Sequence, residues 1–490
     1  MYQPTWESVS THPLPEWFDN AKLGVFLHWG LYSVPAWAPN AANIQDLFRT
    51  KGPRTLLHNM PYAEWYLNSM QIEGSPTQRH HHETWGATYA YNRFVPAFDE
   101  ASATADLDAL ATLCRDAGAR YVVLTTKHHD GFTLWPSGLE HPAMGAYHAK
   151  RDLVGDLTNA VRAQGMHMGL YYSGGFDWPF NNAVLADTAS MVLGTPDDPA
   201  YLAYATAHVR ELIDRYAPDV LWNDIAWPGG GNLAELFAYY YNQIPNGVIN
   251  NRWHESNPSR SRAATIGITA GARAVERLWK LLPDSKKTMA IQESPFFDFS
   301  TPEYAQFHEI VPKKWESTRG VGHSFGLNLN EGPEETLSAT ELIHSFCDIV
   351  SKNGNLLIGI GPDPSGRITD LQQAPLRGLG EWLAINGEAI YDTRPWTTAN
   401  GLTSEGTAVR FTRNESALFA ILTEAVGTRG IELRNVDASG VTAVRLLGVE
   451  APLAWSVNDN GQLHVELPAS LPVSAAHVLR IEPVEALRPR

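Results

Sequence analysis

Residues 107–132, LDALATLCRDAGARYVVLTTKHHDGF, hold in one stretch the unit from which the fold is read. Leu107, Leu110, Ala111, Leu113 and Cys114 recur at helical spacing, and Gly118 reads as the stop. Tyr121-Val122-Val123-Leu124 is then short, apolar and bounded, as a buried strand is. The strand runs out into Lys127-His128-His129-Asp130, so polar groups collect at its C-terminal end.

The same unit recurs in both directions. Asp152 reads as the N-cap of a helix through Val161 that Gly165 ends, and His167 to Tyr172 is the next strand. A helix carrying Val209, Leu212, Ile213 and Tyr216 precedes Asp219 to Trp222, and Gly24 to Leu27, Gly247 to Asn250 and Asn355 to Ile360 are further strands. Crossovers of this length make the strands parallel and covered by helices, an α/β architecture. Polar or aromatic groups end nearly every one of them: His28-Trp29, Lys127 to Asp130, Ser173, Asn223-Asp224 and Asn251-Arg252-Trp253. One such end merely caps a loop. Five in succession, in a parallel barrel, converge on one mouth.

Near residue 395 the pattern changes, with Asn386-Gly387 and Arg394-Pro395 marking a hinge. Beyond it come short alternating runs such as Val409/Phe411, Leu418/Ala420/Leu422, Ile431/Leu433 and Val465/Leu467, separated by turn residues at Asn414-Glu415, Gly427 and Asn460-Gly461. Residues 395–490 are therefore predicted to form an antiparallel β-sandwich, and residues 1–394 the larger catalytic unit.

Composition narrows the partners. With 37 Lys and Arg against 53 Asp and Glu, the net charge of −16 argues against nucleic acid or an anionic membrane. Two distant cysteines, Cys114 and Cys347, are no disulfide framework and fit a reducing compartment. The N-terminal residues lack a basic segment followed by an apolar run, so a cytoplasmic location is expected, or a secreted one had a leader been trimmed. Aromatic residues, 10% of the chain, suit the C–H faces of sugar rings, although most fill cores.

Among possible catalytic groups, Asp224 in LWNDIAW is flanked by Trp222 and Trp227, whose walls leave a carboxylate undersolvated and nucleophilic. His128 and His129 offer neutral imidazoles to vicinal hydroxyls. No HxH spacing or Cys/Asp cluster completes a metal set, so a metal site is not the favoured reading. His80-His81-His82 reads as a loop or packing feature. Arg252 suits a bidentate clamp on a hydroxyl or a carboxylate. Glu303, in the loop-like stretch Asp298 to Tyr304, competes with Glu255, Glu293 and Glu316 for an acid role.

The strings Gly24 to Gly30, Glu64-Trp65-Tyr66, Lys127 to Phe132 (KHHDGF), Trp222-Asn223-Asp224, Asn251-Arg252-Trp253 and Thr301-Pro302-Glu303-Tyr304 stand in the order seen in glycoside hydrolase family 29. The chain resembles these retaining α-L-fucosidases over about residues 15–396, and the sandwich fits their layout. The resemblance implies a (β/α)8-like barrel, with Asp224 as nucleophile and Glu303 as general acid and then base. It implies that His28, Glu64, Trp65, His128, His129 and Arg252 line the hydroxyl-binding wall beside Trp222, and that Phe26, Tyr62 and Phe325 receive the C5 methyl of fucose. A retaining pair stands about 5–5.5 Å apart, close enough for an ionised Asp224 to favour a proton on Glu303.

The expected activity is exo-hydrolysis of terminal α-L-fucosyl linkages in oligosaccharides or glycoconjugates, without metal or organic cofactor. A non-catalytic fucose-binding protein and a metal-dependent barrel hydrolase are the alternatives. The first has no need of two carboxylates, and the second requires chelators to abolish activity. Residues 254–295 look like an insertion, with a helix over 272–282 expected above the mouth to shape the leaving-group site. Leu327 stands where family members often carry Tyr.

Overall fold

The structure, a computed structural model, describes the chain apart from residues 257, 259, 285, 286, 288–291, 305, 306, 425–429, 469 and 490. Seven parallel strands form the first sheet: β1 (Leu23–Leu27), β2 (Tyr121–Lys127), β3 (His167–Ser173), β4 (Val220–Asp224), β5 (Val248–Ile249), β6 (Trp315–Gly320) and β7 (Gly354–Ile360). They lie in the order β5-β4-β3-β2-β1-β7-β6, which leaves β5 and β6 as the free edges.

The gap between those edges is filled by residues 298–303. Parallel bridges join Asn250 to Phe299, Ser300 to Trp315 and Glu303 to Thr318. The amide of Asp298 donates to Ile249 O at 3.1 Å, and that of Glu316 to Ser300 O at 2.8 Å. Read with this irregular stave, the ring has eight members in sequence order. The stretch expected as a loop is thus the piece that closes the barrel. Its polar residues and Pro302 hide it from a strand pattern, because it pairs by isolated bridges rather than a ladder.

Alternation builds the two faces of the wall. Phe26, Tyr121, Val123, Tyr171, Val220, Trp222, Val248, Phe299 and Leu357 form one inner cluster. Their neighbours Val25, Leu27, Val122, Leu124, Leu170, Tyr172, Leu221, Ile249, Leu356 and Ile358 belong to the outer layer shared with the helices. The helix of residues 107–116 forms as read: the Asp106 side chain accepts from Ala109 N at 2.9 Å, and Gly118 takes φ +92° beyond its end. Asp152 caps the helix Leu153–Ala163 in the same way, and Gly165 follows at φ +76°.

The C-terminal part is two antiparallel sheets. One has five strands: β8 (Arg394–Leu402), β9 (Ala408–Arg413), β10 (Leu418–Leu422), β12 (Ala443–Leu446) and β15 (His477–Glu482). The other has four: β11 (Gly430–Asp437), β13 (Ala454–Val457), β14 (Gln462–Glu466) and β16 (Arg488–Pro489). Val409, Phe411, Leu479 and Ile481 of the first meet Ile431, Leu433, Leu463 and Val465 of the second in a separate core. The opposite side chains of the five-stranded sheet, Phe419, Ile421 and Val478, join the barrel's outer core instead. Trp382 Nε1 donates to Ala476 O at 2.9 Å, and Arg410 pairs with Asp348 at 2.6 Å across the same seam. Gly427, read as a turn residue, lies outside the described residues.

The insertion carries a helix, Arg262–Leu278, longer than expected and continued by a short turn, Trp279–Leu281. Its Glu276 accepts from Thr188 N at 3.2 Å, and Trp279 packs on Phe48 with ring centroids 4.8 Å apart. It stands behind the rim segments 188–192 and 44–51. None of the described residues of 262–282 faces the cavity at the mouth. Residues 257, 259, 285, 286 and 288–291 of the insertion lie outside the described residues. His80, His81 and His82 lie in the helix Pro76–Thr84 rather than a loop, because Ser75 caps it and Pro76 starts it. Within it His81 is buried between Tyr66 OH at 3.1 Å and Tyr89 O at 2.8 Å, a packing role.

Candidate active site

At the C-terminal ends of the staves opens a cavity of about 1070 Å³. β4 ends in Asp224, whose carboxylate is held on three sides. Asp224 Oδ1 accepts from Arg252 Nη1 and from Ile225 N, both at 2.8 Å, and Oδ2 accepts from Tyr171 OH at 2.8 Å. Ile225 takes φ +65°, so the chain turns sharply after the carboxylate and leaves it at the lip.

The same Arg252 Nη1 lies 2.8 Å from Glu303 Oε1. The gap between Asp224 Oδ1 and Glu303 Oε1 therefore cannot exceed twice that length. Arg252 is held in turn by Thr301, with Nε donating to Oγ1 and Nη2 to the carbonyl, each at 2.9 Å. Asn251 Oδ1 accepts from Thr301 N at 3.0 Å, which ties the irregular stave to the end of β5. Burial works against the guanidinium charge, yet the carboxylates of Glu303 and Asp224 more than offset it and raise its pKa. Its face lies over Trp222 at 4.8 Å, and Tyr62 OH donates to Glu303 Oε2 at 3.4 Å.

Three histidines line one side. Burial lowers the pKa of each well below the ordinary imidazole value; next in effect are the neighbouring His128 for His28, His129 for His128, and Lys127 for His129. All three are therefore neutral at pH 7, and among the described residues the buried Nδ1 atoms of His28 and His128 have no partner. Trp65 meets His129 edge to face with centroids 5.4 Å apart. Glu64 accepts from Gly326 N at 2.9 Å and Ser324 Oγ at 3.1 Å, and burial pushes its carboxyl up to about 7.

An apolar wall faces these groups. Phe325 stacks on His28 at 4.9 Å and meets Tyr62 at 5.4 Å, and Phe26 meets His28 at 4.3 Å. Room for Phe325 comes from Gly359 on β7, where a Cβ would stand 2.6 Å from its ring.

All twelve residues singled out from the sequence line this one cavity: Asp224, Glu303, His28, Glu64, Trp65, His128, His129, Trp222, Arg252, Phe26, Tyr62 and Phe325. The competing acids separate from it in different ways. Glu316 is fully buried beneath the cup, accepting from Tyr121 OH at 2.5 Å and Trp222 Nε1 at 3.1 Å. Glu255 is exposed and does not line the cavity, whereas Glu293 does so but is held by Asn251 Nδ2 at 3.0 Å, away from Arg252. Among the described residues no three His, Cys, Asp or Glu side chains are grouped to hold a metal ion.

Tyr171 belongs to the site and was not singled out, while Asn251 was read only as a polar strand end and Thr301 only as part of the Thr301 to Tyr304 string, neither with a role of its own. Tyr171 carried a usable signal: it shares strand parity with Ser173, whose end position points at the mouth. Thr301 had none, because its role depends on the stave that no pattern marks.

Residues 1–388 match the α-L-fucosidase family profile, and residues 403–482 that of the α-L-fucosidase C-terminal domain. Tissue α-L-fucosidase of Homo sapiens is 31% identical over 490 residues, spanning 97% of this chain and 89% of that protein. The α-L-fucosidase of Dictyostelium discoideum is 32% identical over 413 residues, spanning 81% of this chain and 76% of its own length. The crystal structure of Thermotoga maritima α-fucosidase in complex with fucose is 38% identical and superposes with a TM-score of 0.82, covering 98% of this chain and 100% of that one. The same enzyme in complex with a mechanism-based inhibitor gives a TM-score of 0.83 at 38% identity, again over 98% of this chain and 100% of its own. The barrel with its appended sandwich, the strand-end constellation and both profile matches lead to one conclusion: the chain belongs to the α-L-fucosidase family, glycoside hydrolase family 29.

Proposed function

We propose that the protein is an exo-acting, retaining α-L-fucosidase that removes terminal fucose from oligosaccharides or glycoconjugates, with Asp224 as nucleophile and Glu303 as acid and base. The observation that carries this reading is the single guanidinium nitrogen of Arg252, 2.8 Å from both carboxylates. It draws one oxygen of each to a shared nitrogen, the close approach expected of a retaining pair at about 5–5.5 Å.

In the first step Asp224 attacks the anomeric carbon while Glu303 gives its proton to the departing oxygen, and a fucosyl ester forms. In the second, the Glu303 carboxylate takes a proton from water, which attacks the same carbon and releases Asp224. Tyr171 and Arg252 hold the nucleophile toward the cup. The neutral histidines meet ring hydroxyls without the cost of desolvating a charge, and Glu64 adds a carboxyl beside them. Phe26, Tyr62 and Phe325 favour a methyl at C5, since the 6-hydroxyl of another hexose entering there loses its hydrogen bonds. That discriminates by roughly tenfold to a hundredfold.

The test is proton NMR of an aryl α-L-fucoside digest, read before mutarotation. α-L-Fucose as the first product supports the reading, and β-L-fucose overturns it. A protein that only binds fucose gives neither, and a metal-dependent hydrolase loses its turnover to chelators, which are expected here to have no effect.

A further inference from the structure

The hydrogen bonds behind His129 decide which of its two nitrogens carries the proton. Ser173, the last residue of β3, is fully buried, and its Oγ makes two short contacts. One is to the carbonyl of Phe176 at 2.8 Å and the other to His129 Nδ1 at 2.6 Å. A carbonyl oxygen only accepts, so the single hydroxyl proton of Ser173 goes to Phe176. The contact to His129 is then attractive only if Nδ1 carries a hydrogen and donates it to Ser173 Oγ.

The ring has no freedom to turn away from this arrangement. Trp65, Phe176 and Trp178 enclose it with centroids 5.4, 5.3 and 5.3 Å away, and the His129 carbonyl accepts from Trp178 N at 2.9 Å. Nε2 is on the side of the nucleophile, 3.8 Å from Asp224 Oδ2. That oxygen already accepts from Tyr171 OH.

We propose that Ser173 is a positioning residue of the reaction: it fixes His129 as the Nδ1–H tautomer, so that Nε2 presents a bare lone pair beside Asp224. Two acceptors then flank one spot, and a sugar hydroxyl placed there donates its proton to Nε2. Its nearness to Asp224 makes it a hydroxyl neighbouring the attacked carbon. The opposite tautomer would point Nε2–H at Oδ2, drawing electron density from the nucleophile and withdrawing the acceptor from the sugar. The proposal deepens the fucosidase reading and rests on it for the identity of the ligand, but the tautomer stands on this chain's contacts alone.

Neutron diffraction from crystals grown in D2O reads the tautomer without any turnover. A deuteron on His129 Nδ1 with none on Nε2 is expected, and a deuteron on Nε2 overturns the proposal. Kinetics with an aryl α-L-fucoside then test its consequence. Ser173→Ala, which removes one oxygen, is expected to lower kcat/KM by roughly tenfold to a hundredfold. Ser173→Thr, which restores a hydroxyl, is expected to recover most of that loss. In a His129→Ala background Ser173→Ala is expected to cost almost nothing, because there is no ring left to orient. An undiminished loss in that background overturns the positioning role. Absence of any turnover by the unmodified protein would instead sink the fucosidase reading and leave the neutron result intact.

Discussion

The two carboxylates of the site are mounted on walls of opposite character. Asp224 ends a five-residue strand buried throughout and laddered to β3 on one side and β5 on the other. Glu303 sits on a stave with no ladder, joined to its neighbours by isolated bridges and followed by Tyr304 at φ +50°. Ladder pairing places the nucleophile's backbone, with Tyr171 and Arg252 holding its carboxylate, whereas the acid's stave has only isolated bridges and leans on the side chains of Asn251, Thr301 and Arg252. A group that must stay in line with one carbon needs the first kind of support. One that must follow leaving groups of different shapes is served by the second.

Removing each group should reveal the asymmetry. Asp224→Gly is expected to lower kcat by about four orders of magnitude or more on every substrate and to lower Tm while leaving the protein folded, because the buried Arg252 guanidinium loses one of its two carboxylate partners and keeps Glu303. Steady-state assays and a thermal melt check both halves. Glu303→Ala is expected to cost about 10²- to 10⁴-fold on fucosyl oligosaccharides and far less on aryl fucosides with good leaving groups, which depart unprotonated. Equal losses on the two substrates would move the acid role to Glu293, the remaining candidate at the cavity wall.

Thr301→Val keeps the shape of the stave and removes the hydroxyl that holds Arg252 Nε. A loss of roughly tenfold to a hundredfold is expected, larger for sugar than for aryl leaving groups, together with about 1–3 kcal/mol of stability. Urea titration and the two substrate classes measure these separately. If the aryl substrate suffers as much as the sugar, Thr301 is supporting Asp224 rather than the acid.

The smallest effect concerns the floor beneath both. Burial, partly offset by hydrogen bonds from Tyr121 and Trp222, pushes the Glu316 carboxyl from 4.5 up to about 7. The native state keeps a proton there that the unfolded chain gives up. The resulting stabilisation is complete below about pH 4.5 and is lost as pH rises through about 7. Glu64, also pushed up to about 7, acts in the same direction. Glu316→Gln is expected to shrink the fall in Tm between pH 5 and 8, and an unchanged slope would show that Glu316 is ionised in the native protein.

The same contrast explains what could be read from the chain beforehand. Six staves were legible because their apolar runs are short and continuous, as strands covered on both faces must be. β6 escaped because its inward positions carry Glu316 and Thr318 in place of aliphatic residues, and the stave at 298–303 escaped because Pro302 and isolated bridges leave no alternation. The histidines and Asp224 were legible as strand ends. Glu303 was separable from Glu255, Glu293 and Glu316 only by the family resemblance, since nothing local marks a residue whose position depends on Arg252, some fifty positions earlier. A helix in the insertion was expected over 272–282, but its start at Arg262 and its place behind the rim were not, the latter because it depends on Trp279 fitting against Phe48 and Gly52.

The most direct measurement is to trap the intermediate with 2-deoxy-2-fluoro-α-L-fucosyl fluoride, digest the protein and locate the label by mass spectrometry. One fluorofucosyl group on the peptide containing Asp224 is the expected result. A label on any other carboxylate, or none while the fluoride is being turned over, would contradict the assignment of Asp224 as the residue that takes up the sugar.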